Sequence, residues 1–563
     1  MRAANAAGVR TVIRKLTSLC INLAMIMERA DEQVLPAVYL YVGAALKVSP
    51  THLGLLTFCR AIVQAVSSPV SGVLGDYVNR RVIIGLGCIW WGAVTCIVAG
   101  VSDFHAAMIC WACNGLGLAA VIPSSQSLLA DLYPESERGV AFGWMYMVGA
   151  FGGMGGGLFA TNVGGVIVAG MEGWRFSFLA VGIISGVVGA LTLAASSDPR
   201  YPADVARAHA AWRVALARAL AGGRSLSADA DEAEPLTGRA QDASLGPVAA
   251  TTITDGDNMH QRGNRGGGAG LATRAVAHTG GTKGAAVGRA PEGPAVAAAG
   301  VRRPEFSWAE LKWVLQRKTF LIIVLQGIMG STPWNALIFF TLWLQMLGFT
   351  DLQASILMAA FATGCALGLG LGGWVCDHLA TWSPNHGRIL GAQFSVFMGL
   401  PLSWLLIKGL PQGDFAAQIQ TYDVLYGTVM FLMGLVISWC APGCNSPMFA
   451  EIVPARLRST VYAFDRSFEG ALAACAAPAV GLLAEHAFGF EGTLRHPEEG
   501  MSEEVALSTE AMNRRNAGAL GNALLVCCVV PWALAFVFYG LLHWTYAKDR
   551  AAGASGPLKA VSS

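Results

Sequence analysis

Charge is scarce in this chain. Only 13% of its residues are Asp, Glu, Lys or Arg, against 54% hydrophobic residues, and its mean hydropathy is +0.50. A soluble chain of 563 residues needs a charged surface that this composition does not supply, so the class indicated is a multi-span membrane protein. Net charge is lacking too: at +2 there is no basic excess for nucleic acid, and what matters is where the few charges sit. No Gly-x-x-x-x-Gly-Lys loop is present, so direct use of ATP is not expected. His378 and His386 lie in a loop, and no His, Cys or carboxylate cluster has metal-ligand spacing. No metal, cofactor or catalytic site is expected, and the chain reads as not an enzyme. Cys110 and Cys113 have oxidoreductase spacing, but with Trp111 and Ala112 between them in an apolar run they read as packing. No short apolar region with a cleavage site precedes the first long run, so no secretory leader is expected. The Arg-rich start also fits an organellar transit peptide, although a topology signal accounts for the same residues more simply.

What the chain does have is long apolar runs. A bilayer core of about 30 Å takes about 20 helical residues, and twelve runs qualify as spans 1 to 12. Six are 16–46, 53–75, 82–101, 106–132, 140–163 and 176–195; six more are 320–347, 352–376, 389–410, 424–450, 457–483 and 520–546. The organisation expected is an N-terminal segment 1–15, a six-helix bundle 16–195, a linker 196–318, a second bundle 319–546 and a tail 547–563. The Gly-, Ala- and Arg-rich linker buries too little apolar surface to offset its ordering entropy and is expected to be largely disordered. At its edges, Val205, Trp212, Leu216 and Leu220, and again Phe306, Trp308, Leu311 and Leu315, fall on single helical faces. Each reads equally as an interfacial helix or as an extension of the adjoining span. Basic residues in the short loops, among them Arg14, Arg80, Arg138, Lys318, Arg388, Arg458 and Arg550, fall on one side, which places both termini and the linker in the cytosol.

A cassette occurs twice. An apolar helix runs into Gly72-Val73-Leu74-Gly75-Asp76 and then Arg80-Arg81, and again into Gly373-Trp374-Val375-Cys376-Asp377 and then Gly387-Arg388. A second pair repeats as well: Ala130-Asp131 followed by Arg138, and Ala450-Glu451 followed by Arg458. The order of parts is that of a duplicated membrane protein. These paired motifs, with Gly173-Trp174-Arg175 before span 6, resemble the major facilitator superfamily. Met27-Glu28-Arg29 and His386-Gly387-Arg388 resemble its spinster-like branch. The resemblance implies an all-α fold of twelve transmembrane helices in two pseudo-symmetric six-helix bundles. It also implies a cytosolic gate built from Gly72, Gly75, Asp76, Arg80, Arg81, Arg138, Gly373, Asp377, Gly387, Arg388 and Arg458. Physically, Asp76 suits the positive N-terminus of a neighbouring helix, and the arginines suit headgroups or acidic partners. Three departures stand out: Asn79 occupies a usual glycine position, where it tolerates a left-handed turn; Asp377 and Arg388 are eleven positions apart; and span 5 lacks the Gly-Pro signature of many antiporters.

Charges within the apolar runs need partners or water. Span 1 carries Glu28, Arg29, Asp31 and Glu32, span 2 carries Arg60, and span 11 carries Asp465, Arg466 and Glu469. At about 1.5 Å per residue their depths nearly coincide near mid-membrane. With spans 2 and 11 adjacent in the resembling fold, Arg60 is expected to pair with Glu469 or Asp465. The second bundle lacks an equivalent of the span 1 charges, and that asymmetry favours a substrate or proton pathway over static ion pairs. Asn114, Gln126, Asn335 and Asn445 are cavity candidates, each weighed against an interhelical hydrogen bond. Gly149, Gly153 and Gly157, with Gly364, Gly368 and Gly372, are expected to form smooth stripes across the bundle interface. The reading is a monomeric secondary or facilitative transporter of a small amphipathic or anionic solute by alternating access. Proton coupling and a lysolipid or sphingoid phosphate substrate fall within it; the alternative is a membrane sensor signalling through the linker.

Overall fold

In the computed structural model, residues 2–133, 135–201, 312, 314–412, 419–453, 467–492 and 503–555 are described. Helices dominate, and ten of those described are long and apolar enough to cross a membrane. Arg2–Ala37 with Tyr39–Leu46 supplies span 1, and Glu135–Gly164 supplies span 5. Four ionisable residues in five positions, Glu28 to Glu32, make span 1 the least lipid-like of the twelve. Both cavity-forming bundles are present, and most of the linker, including both proposed interfacial helices apart from residues 312, 314 and 315, lies outside the described residues.

Local chemistry sets the helix ends. Pro36 precedes the break between Ala37 and Tyr39, as expected where the helical hydrogen-bond ladder loses a donor. Pro50 opens span 2 at its first turn, where its missing N–H costs nothing. Asn79 is the N-cap of span 3: its side chain accepts from Arg81 N at 3.0 Å, and its φ of −61° is not left-handed. The left-handed turn expected there is therefore replaced by a cap, because Asn at that position satisfies an orphan helix donor. Gly348, at φ 105°, ends span 7, and a Thr350–Gln353 capping box starts span 8. A two-residue hairpin, Ile167–Val168 with Met171–Glu172, turns through Ala169 and Gly170 before span 6. Gly173 follows it, and a Cβ there would fall 1.7 Å from the Val163 carbonyl oxygen. Arg175 then donates to the carbonyls of Ala99 and Val101 at 2.9 and 2.8 Å and lies over the Trp174 ring. The Gly-Trp-Arg signature thus closes the end of span 3.

The glycine stripes do not face the other bundle. Cβ atoms at Gly149 and Gly153 would meet Arg29 of span 1 at 3.4–3.5 Å, and one at Gly157 would meet Gln33. Those at Gly364, Gly368 and Gly372 would collide with Phe431, Leu435 or Ser438, and Trp439 of span 10. In span 8 glycine marks a close backbone approach within the bundle, to span 10, whereas the span 5 stripe makes ordinary contacts with span 1 and the closest approach of those two helices falls at Gly152 and Gly156.

Between bundles, the contacts gather at the end opposite the cassettes. Tyr41 donates to the Asp351 carboxylate, Asn162 Nδ2 to Ser355 Oγ at 3.0 Å, and the Thr51 amide to Glu485 Oε1 at 2.9 Å. Spans 2 and 11 touch there backbone to backbone: a Cβ on Gly54 would lie 2.5 Å from the Ala477 carbonyl, and one on Gly481 would lie 2.3 Å from the Thr51 nitrogen. At the cassette end, the hydrogen bonds and ion pairs between described residues all stay within one bundle.

Candidate functional site

Span 1 brings its charges against spans 2, 3 and 4. Gly115 lets span 4 press on span 2 at Arg60, because a Cβ there would fall 2.5 Å from the Arg60 carbonyl. That approach carries Asn114 to Asp31, donating at 3.2 Å, while Thr95 of span 3 donates to the other Asp31 oxygen at 2.8 Å. Asn114 also donates to Thr95 at 2.9 Å, which ties the three groups together. Arg60 reaches Asp31 and Glu32, each at 3.7 Å, and its guanidinium sits 5.7 Å from the Trp111 ring centre. Arg29 pairs with Glu32 at 2.6 Å and with Glu28 at 3.2 Å.

The cluster has two layers. Asp31, Glu28 and Arg60 are buried, whereas Arg29 is 40% and Glu32 35% exposed. Three carboxyls face two guanidiniums, so full ionisation leaves one negative charge without a counter-charge. A buried charge of that kind is costly unless paired or neutralised.

The expected pairing of Arg60 with Glu469 is not what forms. Spans 2 and 11 do adjoin, but through the Gly54 and Gly481 crossings; Arg60 turns to span 1, where fully buried Asp31 needs a cation. Asp465, Arg466 and Arg458 lie outside the described residues. Glu469 stands instead in the second bundle, where Ser331 donates to it at 3.3 Å. Gly327 makes its room, since a Cβ there would fall 2.3 Å from Glu469 Oε1. Glu469 lines a cavity of about 500 Å³ with Ser331, Trp334, Asn335, Asn445 and Tyr539. Tyr539 donates to Asn445 at 2.8 Å, and Asn335 donates back to the Ser331 carbonyl. Of the four cavity candidates, Asn335 and Asn445 line this space; Asn114 is fully buried in the cluster, and Gln126 donates to Tyr146.

The cassettes build clamps. Arg80 donates to the Ser127 carbonyl and to Asp131 across spans 3 and 4, and Arg81 donates to the Leu193 carbonyl. In the second copy Arg388 pairs with Asp377 at 2.7 Å and donates to the Gly443 carbonyl, so a separation of eleven positions does not keep the pair apart. Glu451, the counterpart of Asp131, is held by Tyr546 and Arg550 of span 12. Gly373 is open, a Cβ on Gly75 would make an ordinary contact with Ser124, and a Cβ on Gly387 would strike the Leu379 carbonyl. The side chains of Asp76 and Arg138, and the surroundings of Gly72, lie outside the described set.

Sequence reasoning missed Asp198. Fully buried just after span 6, it accepts from the Arg80 amide at 3.1 Å, at the positive end of span 3, and from Arg200 at 2.9 Å. Arg200 also donates to the Val78 carbonyl, pinning the start of the linker to the first cassette. The signal was an Asp-Pro-Arg immediately after an apolar run. Burial favours the neutral acid, but hydrogen bonds from Arg200 and from the Arg80 amide outweigh it and hold the Asp198 carboxyl below the usual carboxylate range. A lowered folded value means the stabilisation is present above the unfolded value, near 3.8, and is lost as pH falls through the folded one. Asp198→Asn is expected to cost about 1.5–3 kcal/mol at pH 7, with the difference in Tm from wild type shrinking below pH 3.8.

Known proteins share this architecture. Residues 18–478 match the family model of the Major Facilitator Superfamily. The chain belongs to that family. Over 96% of its length it matches the structure of a bacterial homologue of the human lysosomal transporter Spinster, inward-facing and unoccupied. That match has a TM-score of 0.65 and 16% identity, and covers 98% of the homologue. The nucleoside transporter NupG matches over 95% of this chain and 99% of its own, with a TM-score of 0.54 and 9% identity. Among sequences, the quinolone resistance protein NorA of Staphylococcus aureus is 27% identical over 118 residues, 19% of this chain and 30% of NorA. The sphingosine-1-phosphate transporter SPNS2 of Danio rerio is 24% identical over 129 residues, 23% of this chain and 26% of SPNS2. The sequence matches thus span under a third of those relatives. Membership of the family sets this chain among multi-pass membrane transporters and not among enzymes, and the structural neighbours share its fold.

Proposed function

We propose that this superfamily member moves a small amphipathic or anionic solute by alternating access, with a proton carried on the span 1 carboxyls. The observation that carries the reading is the three-to-two imbalance of carboxyls over guanidiniums in a partly buried cluster, set beside bundles whose contacts among the described residues gather at the end away from the cassettes. Arg29 is the exposed cation of the cluster, and Glu28 and Glu32 occupy it. An anionic headgroup reaching Arg29 competes with those carboxylates. Protonating one of them frees Arg29 and removes the surplus negative charge, so anion and proton are favoured together. The cassette end faces the cytosol in this reading, because the basic loop residues collect there. The bundles then stand in an inward-facing arrangement, the one in which the Spinster homologue was solved. Likeness to SPNS2 supports lysolipids or sphingoid phosphates as first candidates.

Uptake into proteoliposomes under an imposed pH gradient tests this. Wild type is expected to accumulate an anionic lysolipid with the gradient. Glu28→Gln and Glu32→Gln together are expected to leave downhill flux but no accumulation. Accumulation that persists in the double variant removes the proton role; binding without flux in wild type favours the sensor.

A further inference from the structure

Spans 1, 5 and 6 of the first bundle leave an open, apolar groove of about 470 Å³. Its walls are Ile26, Met27 and Ala30 of span 1, the span 5 stretch from Val148 to Phe159, and Ala180, Val181 and Ile184 of span 6. Glycine creates its depth. A Cβ on Gly152 would fall 2.4 Å from the Ile26 carbonyl, and one on Gly156 would fall 2.6 Å from Ala30 Cα, so spans 1 and 5 meet backbone to backbone. Gly155, between those two positions but turned outward, has nothing within 4 Å of where its Cβ would stand. Phe151 and Phe159, two turns or about 12 Å apart along span 5, border the opening.

We propose that this groove is a binding site for one acyl chain of a bilayer phospholipid. The groove is continuous with exposed apolar side chains, Phe151 of span 5 and Ile183, Ile184 and Val187 of span 6, the latter helix long and apolar enough to cross a membrane. Water has no polar partner among the side chains of this lining, and an empty groove forfeits dispersion contacts along its whole wall. A flexible alkyl chain fills a narrow trough about two helical turns long. The occupant is a membrane lipid and not the tail of a transported solute. A tail whose headgroup sits at Arg29 has to cross the contact between spans 1 and 5, which is closed at Gly152–Ile26 and Gly156–Ala30. The site also bears on the charged cluster, because Met27 and Ala30 alternate along span 1 with Glu28, Arg29 and Asp31. A chain in the groove braces the helix whose other faces hold that cluster.

Gly155→Leu is the probe, since Gly155 lines the groove and an added Cβ there stands clear of protein. Gly370→Leu is the control: Gly370 is an equally open glycine on span 8 of the other bundle. Native mass spectrometry of detergent-purified protein, reconstituted with dioleoyl phosphatidylcholine and re-extracted, counts retained phospholipid. The expected result is one fewer retained molecule in Gly155→Leu than in wild type or Gly370→Leu. Tm is also expected to fall on exhaustive delipidation of wild type and of Gly370→Leu, and not of Gly155→Leu. Equal retention in all three overturns the proposal, as does equal loss from both variants. A raised KM for solute in Gly155→Leu with unchanged lipid count overturns it in favour of a solute-tail site. Should the leucine variant not fold, Gly155→Val carries the same two readouts.

Discussion

Arg60→Ala is expected to destabilise the protein by about 3–5 kcal/mol, because it leaves Asp31 buried without its cation. Asp31 is fully buried and receives two neutral hydrogen bonds, from Thr95 and Asn114, so its carboxylate relies on Arg60 for charge compensation. A chain whose whole stability is of the usual size does not survive such a loss easily. Two further variants separate charge from shape. Asp31→Asn in the Arg60→Ala background removes the orphaned charge and is expected to recover most of the lost stability. Arg60→Lys keeps the charge but loses the planar group over Trp111, and is expected to be intermediate. Unfolding in a mild detergent, followed by Tm, reads all three. An Arg60→Ala protein as stable as wild type would show that the pair is not what balances Asp31.

Gly54→Val is expected to open the end opposite the cassettes. With the Ala477 carbonyl 2.5 Å from where a Cβ would stand, a branched side chain cannot be accommodated while spans 2 and 11 remain in contact. Overpacking of this kind costs about 1–3 kcal/mol. Because it acts on one of two conformations, it shifts their balance by roughly 5- to 150-fold. Transport is expected to fall by a comparable factor while folding is retained. Thiol labelling of a Ser355→Cys reporter, buried in the closed end beside Asn162, is expected to rise over the same reporter in the Gly54 background. Gly481→Val meets the Thr51 nitrogen from the other helix and is expected to act in the same direction. Unchanged labelling in both variants contradicts a seal built on that crossing.

Much of the architecture is legible in the residues. Apolar runs of about twenty residues have few conformations open to them in hydrocarbon, because every backbone N–H and C=O must be satisfied within the segment. Most runs therefore overlie helices, although the helices of spans 1 and 12 extend well past the apolar runs, to Arg2 and over Glu503–Ser555, and the repeated cassettes carry the family's mark in the chain itself. The concentration of charge in Glu28, Arg29, Asp31, Glu32 and Arg60 is also plain. Their pairing is not. Depth along a helix follows from residue number, but the direction in which Arg60 points depends on the rotation of span 2, which is set by its packing at Gly54 and by Gly115 of span 4. The glycine stripes mislead for a related reason. Spacing by four shows that a helix has a smooth face and leaves open which neighbour meets it. Asp198 is inconspicuous in the sequence because its value lies in a partner 118 residues away, the Arg80 amide.

The sequence alone therefore determined that this is a duplicated twelve-span membrane protein with a span 1 cluster of charge that its second half does not repeat, since hydropathy and repetition are properties of the chain itself. Only the tertiary structure decided which charges meet, that Asp31 rather than Glu469 takes Arg60, and that the bundles are joined at the end away from the cassettes. Those outcomes depend on helix rotation and on backbone contacts a few ångströms across, which no single segment contains.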